Sequence, residues 1–541
     1  MEIPGPEAKA SATSPKAIKQ MRMGIAGSAV LAPTGPIRKK RIKDAERKKF
    51  LRPTTAVIKC GLAKRSSSFL RFSAGLFSYP MIFPDCGRLA PVLALTCLTA
   101  MAAPAGRTNI VFLLADDLGW RDVACYGARD IATPNIDRLA GQGVRFTQFH
   151  SNGPECSPTR AAFLSGRYQQ RLGGLECAIG VGGVGRYDDA ERLAKKGELG
   201  FPTGANSIAQ LLRDGGYATA LVGKWHLGYA EKFSPNRRGF DHAFYCVGGE
   251  MDYFAHFENT PERNYSLRLN GEPVLRPGYF TQLIADDAVS WLKAQQASAP
   301  QKPFFLFVPF TAPHSPFQRP DEGALAPLAR DSARWKQGNA PPEVYGAMIH
   351  SLDTEIGRIL AALDEAGLTQ NTLVVFASDN GGTRSARPTG LRGIKGTTFE
   401  GGIRVPCIAR WPGILPAGKA CAYPALTFDL TASFARIAGV NPPAGRPFDG
   451  IDILRAVEKN TPPAARSLFW RGRRADFTWR AVREGDWKYV SHQQKGTVQE
   501  WLFNVVADSA EQNDLLAQQP ETVARLKKQL VAWEGEVRPT R

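Results

Sequence analysis

From Thr108 onward the apolar positions fall into two alternating patterns. Short, nearly continuous apolar runs are separated by longer stretches whose apolar residues recur every three or four positions. The runs "NIVFLLA" (109–115), "PFFLFVPF" (303–310) and "TLVVFAS" (372–378) predict strands buried on both faces, because a strand with one wet face would alternate. "ATALVG" (218–223) predicts another. "TPNIDRLAGQG" (133–143) predicts a helix with Thr133 as cap, Pro134 at the first helical position and a Gly at the close. "SIAQLLRDGGY" (207–217) and "VYGAMIHSLDTEIGRILAALDEAG" (344–367) carry helical spacing. Strands alternating with helices predict an α/β fold: a large mixed, mostly parallel sheet flanked by helices. The Pro- and Gly-rich stretches within 441–466 predict a linker. Beyond it, "SLFWRG", "FTWRAVREG", "WKYVSH" and "EWLFNVV" predict a smaller antiparallel sheet, with a last helix over "ETVARLKKQLVAWEGEV". The expected division is a catalytic domain over 105–460 and a C-terminal α+β subdomain over 461–541.

Charge alters this picture only at the N-terminus. The chain of 541 residues has a net charge of +19, but residues 1–80 hold 17 Lys/Arg against four Asp/Glu. The body is therefore close to balanced, and a nucleic-acid partner is not expected. After this basic tail, "MIFPDCGRLAPVLALTCLTAMAAPAG" has a short basic region, an apolar run from Leu89 to Ala103, and small residues around "AMAAPA". That is the layout of a secretory signal peptide, and it is too short for a stable membrane span. An export signal belongs at an N-terminus, so the native start is expected at Met81. Residues 1–80 then form a non-native or disordered extension, 81–104 the signal peptide, and the mature protein is exported, periplasmic or secreted. An organellar presequence is the alternative. Six cysteines follow residue 104, none with zinc-site spacing.

The C-terminal ends of the predicted strands carry the chemistry. The first runs into Asp116 and Asp117, the next into "GKWHLG" with Lys224 and His226, the third into "TAPHSP" with His314, and the fourth into Asp379 and Asn380. Open α/β sheets bind ligands at that edge. Each motif alone has a structural explanation as a turn, a cap or a satisfied histidine; four together point to a site. Asp116, Asp117, Asp379 and Asn380 offer only oxygen ligands, which suit Ca²⁺ or Mg²⁺. Lys224, His226, His314, Arg160 and Lys395 in "LRGIKGTTFEGG" supply positive charge and protons, as a sulfate or phosphate ester undergoing displacement requires. In "SNGPECSPTR", Pro158 fits the first turn of a helix. Cys156 therefore sits at a helix N-terminus, where negative charge is favoured, with Arg160 on the same face. A thiolate is possible there, but an oxygen nucleophile matches a hard cation better.

These residues and motifs together resemble the type I, arylsulfatase-like sulfatases of the alkaline-phosphatase superfamily, over about 107–541. The resemblance rests on "ADDLGW", "TPNIDRLA", C-x-P-x-R (Cys156, Pro158, Arg160), "GKWHLG", "HSP", "SDNGG" and "LFNVVADSAEQNDL", in that order. It implies an alkaline-phosphatase-like fold. It implies that a formylglycine-generating maturation enzyme oxidises Cys156, and that the hydrated aldehyde is the nucleophile. One hydroxyl of modified Cys156 would bind the cation, normally Ca²⁺, and attack sulfur. The other, with His226 as base, would collapse the diol and expel sulfate, which a serine ester could not do. By the same resemblance His314, helped by Lys395, protonates the leaving alcohol, Lys224 and Lys395 hold sulfate oxygens, Arg160 fixes the modified residue, and Asp379 is a ligand that also activates the nucleophile. Arg121 and Thr159 depart from common residues of the family without removing a ligand. The expected reaction is hydrolysis of a carbohydrate or aryl sulfate monoester. The alternatives are a formylglycine-dependent phosphodiester or phosphonate monoester hydrolase, and, if Cys156 is unmodified, a sulfated-glycan-binding protein. Segments 176–202 and 246–273 are the candidate walls of a leaving-group pocket.

Overall fold

Odd and even positions of the strand Asn109–Ala115 enter different apolar clusters. Ile110, Phe112 and Leu114 pack on one face, Val111, Leu113 and Ala115 on the other, all fully buried. This is why the run reads as continuous rather than alternating. A computed structural model describes residues 107–323, 326–338, 340–388 and 390–539. The expected extension 1–80 and signal peptide 81–104 lie outside the described residues.

The strand belongs to a ten-stranded sheet. Across the sheet the order is Lys419–Cys421, Val144–Phe146, Cys407–Arg410, Thr372–Ser378, Asn109–Ala115, Phe304–Pro309, Ala218–Lys224, His242–Cys246, Leu267–Leu269 and Glu272–Pro273. From Thr372–Ser378 to His242–Cys246 the neighbours are parallel, so their C-terminal ends share one edge. Antiparallel pairs occur towards both flanks. Helices Cys156–Ser165, Ile208–Asp214 and Thr427–Ala438 cover one face; Pro134–Gly141, Phe280–Ser298 and Pro342–Glu365 cover the other. The predicted mixed, mostly parallel sheet between helical layers is the observed one.

A separate four-stranded antiparallel sheet runs Ser467–Arg474, Phe477–Glu484, Trp487–Gln494, Thr497–Asn504, with helix Pro520–Glu536 against it. Its apolar cluster is continuous with Ala162, Phe399, Ile403 and Phe428 of the larger sheet's elements.

Two local expectations are corrected. The Thr133 hydroxyl does not cap helix Pro134–Gly141; it accepts from the Ala124 N–H and donates to Asp137. The orphan N–H groups of Asn135 and Ile136 instead donate to Asp353 Oδ1, at 3.1 and 2.8 Å, from helix Pro342–Glu365. A carboxylate is a stronger acceptor there and also meets the helix dipole. The expected linker 441–466 contains the helix Ile453–Glu458, whose Ile453, Leu454 and Val457 are buried in the core, and Asp449 within it pairs with Arg171 at 2.9 Å. Helix Phe280–Ser298 was not foreseen.

Candidate active site

Asp116 and Asp117 directly follow the central strand, and Asp117 has φ +64°, a conformation in which an L-residue is strained and which often marks a functional turn. His226, just beyond Ala218–Lys224, has φ +58°. Asp379 and Asn380 follow Thr372–Ser378, and His314 follows Phe304–Pro309 between cis Ala312–Pro313 and Ser315–Pro316 bonds. Cys156 is the first residue of helix Cys156–Ser165. The preceding loop is fastened by Thr159, whose Oγ1 accepts from the Gly153 N–H at 3.1 Å.

The loop carrying Lys395 docks onto the Asp379–Asn380 turn by backbone alone. Gly381 N–H donates to Gly402 O at 2.9 Å, and Lys395 N–H to Gly382 O at 2.9 Å. A Cβ on Gly381 would lie 2.0 Å from Gly401 O, so glycine is required by close approach.

The side chains converge. The Cys156 thiol donates to Asp116 Oδ1 at 3.3 Å, and the Lys224 ammonium bonds Asp116 Oδ2. Arg160 Nε and Nη2 both donate to Asp379 Oδ2, at 3.0 and 2.7 Å, while its Nη1 donates to the Lys224 carbonyl at 2.9 Å. Lys395 Nζ donates to Asp117 Oδ2 at 2.8 Å and lies 3.2 Å from His314 Nε2. Asn380 Nδ2 donates to Asp117 Oδ1 at 2.8 Å. His226 Nε2 meets the Ile179 carbonyl at 2.8 Å, and His314 Nδ1 the Ser315 carbonyl at 2.6 Å. Carbonyls only accept, so these nitrogens carry the protons; His226 Nδ1 keeps a lone pair without a partner, and the lone pair of His314 Nε2 faces Lys395 Nζ.

Burial dominates the titration here, and charges modify it. Burial raises Asp117, but Lys395, His314 and Lys224 outweigh it and hold the carboxyl at about 2. Burial and Asp116 push Asp379 up to about 6 against Arg160 and Lys224. Burial, then Lys395, depresses His314 to about 3; burial and Lys224 place His226 well below its ordinary value. Both imidazoles are neutral at pH 7. Burial, then Asp116, drives the Cys156 thiol well upward, so the thiolate is disfavoured.

One ligand atom each from Asp116, Asp117, Cys156 and His314 lies within 4.8 Å of the others. Asn380 Oδ1 is buried without a hydrogen-bond partner. A hard cation fits this arrangement: carboxylate oxygens converge, and an orphaned amide oxygen remains to be satisfied. Cations Lys224, Lys395 and Arg160 match the carboxylates of Asp116, Asp117 and Asp379 in number. An added divalent ion would leave the centre positive, suited to an anionic ester.

A family model described as Sulfatase matches residues 108–440. The chain belongs to the sulfatase family. N-acetylgalactosamine-6-sulfatase of Canis lupus familiaris is 35% identical over 388 residues, spanning 68% of this chain and 69% of that protein. Steryl-sulfatase of Mus musculus is 32% identical over 452 residues, 68% of each. The crystal structure of Ps i-CgsB matches with a TM-score of 0.69 at 31% identity, covering 80% of this chain and 94% of that one. A second structure of that protein, in complex with k-i-k-neocarrahexaose, matches equally at 30% identity. The protein is thus a sulfuric-ester hydrolase, a type I sulfatase of the alkaline-phosphatase superfamily.

Residues that the sequence did not flag also border this sulfatase centre. Gln337 Nε2 lies 3.3 Å from His314 Nε2. Glu250 accepts from Ser315 Oγ at 3.3 Å. Both segments expected to wall the pocket reach the site: 176–202 through the Ile179 carbonyl, 246–273 through Gly249 and Glu250. They also contain regular structure, with helix Asp188–Lys195 in the first and strands Leu267–Leu269 and Glu272–Pro273 in the second. The six cysteines among the described residues are all free thiols.

Proposed function

We propose that this sulfatase hydrolyses a carbohydrate sulfate monoester, using a formylglycine hydrate made from Cys156 beside a bound Ca²⁺. The observation that supports it most is the meeting of Cys156 with Asp116, Asp117 and His314, while Lys224 and Lys395 pair with the two aspartates. Asp116, Asp117, Asp379 and Asn380 would hold the cation. When bound, Ca²⁺ supplies Lewis acidity and the hydrated aldehyde an oxygen nucleophile.

The remaining work falls to the chain's own side chains. Lys224 and Lys395 orient the sulfate oxygens and offset charge developing on them. Arg160 ties Asp379 to the Lys224 carbonyl, fixing the helix that carries residue 156 against two strand ends. Neutral His226, anchored through Nε2–H on Ile179, presents Nδ1 to accept a proton. The Lys395 ammonium, beside the lone pair of His314 Nε2, supplies the proton that the leaving alcohol takes. The carbohydrate assignment follows from likeness to glycan-directed sulfatases. The Leu89–Ala103 pattern supports export with cleavage near residue 104; among the described residues no helix is long and apolar enough to cross a membrane.

The test is the mass of the peptide containing Cys156, from a host that performs the maturation. Replacement of CH₂–SH by an aldehyde, with sulfate release from sugar sulfates exceeding phosphate release from matched phosphate esters, is expected. An intact thiol in an enzyme that still releases sulfate would overturn the nucleophile. A preference for phosphate or phosphonate esters would overturn the substrate class.

A further inference from the structure

Glu250 is a carboxylate with no part in the chemistry above, yet it stands at the catalytic centre. The chain reaches it over Gly249, which lies flat against His226: a Cβ there would sit 2.4 Å from the imidazole Cε1. Glu250 is half-buried, and its Oε2 accepts from the hydroxyl of Ser315, next to His314. Burial holds its carboxyl above the ordinary range, and Lys395 and Lys224 draw it back towards the ionised form. Glu250 therefore borders the side where the leaving alcohol departs, between His226, Ser315 and Lys395.

A carboxylate in that place works against the sulfate group. The three cations of the centre are already matched by Asp116, Asp117 and Asp379, and a fourth acid repels an anionic ester. What offsets that repulsion is a hydrogen-bond donor on the substrate. Ser315 occupies one direction on Oε2, and an ionised carboxylate has further lone pairs to offer.

We propose that Glu250 is a specificity-determining residue that accepts a hydrogen bond from a hydroxyl on the ring carbon adjacent to the sulfate ester and rejects sugars bearing a second anionic group there. This rests on the carbohydrate reading of the substrate. A hydrogen bond to a charged acceptor contributes about 1.5–3 kcal/mol, so either partner's removal lowers kcat/KM on the order of 10- to 100-fold.

The experiment uses the matured enzyme, Glu250→Ala and Glu250→Gln, with three substrates. These are the sulfated monosaccharide that the wild type hydrolyses fastest, its analogue deoxygenated beside the ester, and its analogue sulfated there. The wild type should lose 10- to 100-fold on the deoxy analogue. Glu250→Ala should lose as much on the parent sugar and little more on the deoxy analogue, because the same bond has already gone. Glu250→Gln should raise the ratio of disulfated to monosulfated kcat/KM. Losses that simply multiply, or an unchanged disulfate ratio in Glu250→Gln, would overturn the role; a merely structural Glu250 would give multiplying losses. A wild type that cleaves aryl sulfates but no sugar sulfate overturns the carbohydrate reading as well, which separates the two failures.

Discussion

Replacing Lys488 by Met should destabilise the protein through a buried charge cluster that joins the four-stranded sheet to the helix Glu400–Ile403 and the strand Phe149–His150. Lys488 is fully buried on strand Trp487–Gln494, with Nζ 2.7 Å from Glu400 Oε1 and 2.9 Å from Glu511 Oε1. Glu400 also meets His150 Nε2 at 3.1 Å and Arg404 Nη1 at 3.5 Å, and its own N–H donates to Glu511 Oε2 at 2.7 Å. Arg483 completes the set of charges acting here. Met fills the lysine stem but leaves two buried carboxylates facing each other, and breaking a buried pair in this way costs about 3–5 kcal/mol. The pH dependence has a definite sign. Burial raises Glu511 to about 7, against the pull of Lys488. A carboxyl whose folded value exceeds its unfolded value binds more protons when folded, so its contribution falls as pH rises from the ordinary carboxylate range through 7. Without Lys488 that value rises further, and the deficit of Lys488→Met should be larger at pH 8 than at pH 5.5. The assay is thermal unfolding of wild type, Lys488→Met and Lys488→Met/Glu511→Gln at both pH values. The second substitution removes one of the two charges and should recover about half the loss at pH 8. A Lys488→Met protein as stable as wild type at pH 8, or no recovery in the double variant, would refute the reasoning.

Arg160→Lys should lower kcat/KM for sulfate esters by about 100-fold, because one ammonium cannot span Asp379 and the Lys224 carbonyl; steady-state kinetics on folded protein checks it. Gly381→Ala should cost about 1–3 kcal/mol and separate the Lys395 loop from Asn380, seen as a lower melting temperature together with reduced kcat. Chelation of divalent cations should stop sulfate release and lower the melting temperature, with Ca²⁺ restoring both; a chelated enzyme of unchanged activity would remove the cation from the site.

The elements most legible in the sequence were those whose surroundings are uniform. Asn109–Ala115, Phe304–Pro309 and Thr372–Ser378 are buried on both faces, so each announces itself as an unbroken apolar run. Helix Phe280–Ser298 has Phe280, Ile284, Ala288 and Leu292 at helical spacing, but Tyr279 gives it no side-chain cap, so the sequence holds no start signal for it. The cap on Pro134–Gly141 comes from Asp353, more than two hundred residues away, where local chemistry pointed to Thr133. Acids, lysines and histidines at strand ends were readable because parallel strands bring such ends to one edge. The Ile179 carbonyl and Glu250 were legible only as parts of the wall segments 176–202 and 246–273, not as individual contacts, because a backbone acceptor has no residue signature and one carboxylate in a long insertion looks like any other; nothing in the chain around Gln337 marks its approach to His314.

The sheet order explains why the centre forms where it does. Asn109–Ala115 lies between Phe304–Pro309 and Thr372–Ser378, both distant from it in sequence. Asp116 and Asp117 thus emerge with Asp379 and Asn380 on one side and His314 on the other. Helix Cys156–Ser165 begins at this edge, its N-terminus aimed at the acids, and Arg160 reaches Asp379 from its first turns. A buried acid cluster of this kind is unfavourable alone. Lys224, Lys395 and Arg160 make it tolerable without covering Asn380 Oδ1. Three cations thus balance three carboxylates at this edge in charge number, while the buried amide oxygen of Asn380 is left without a hydrogen-bond partner.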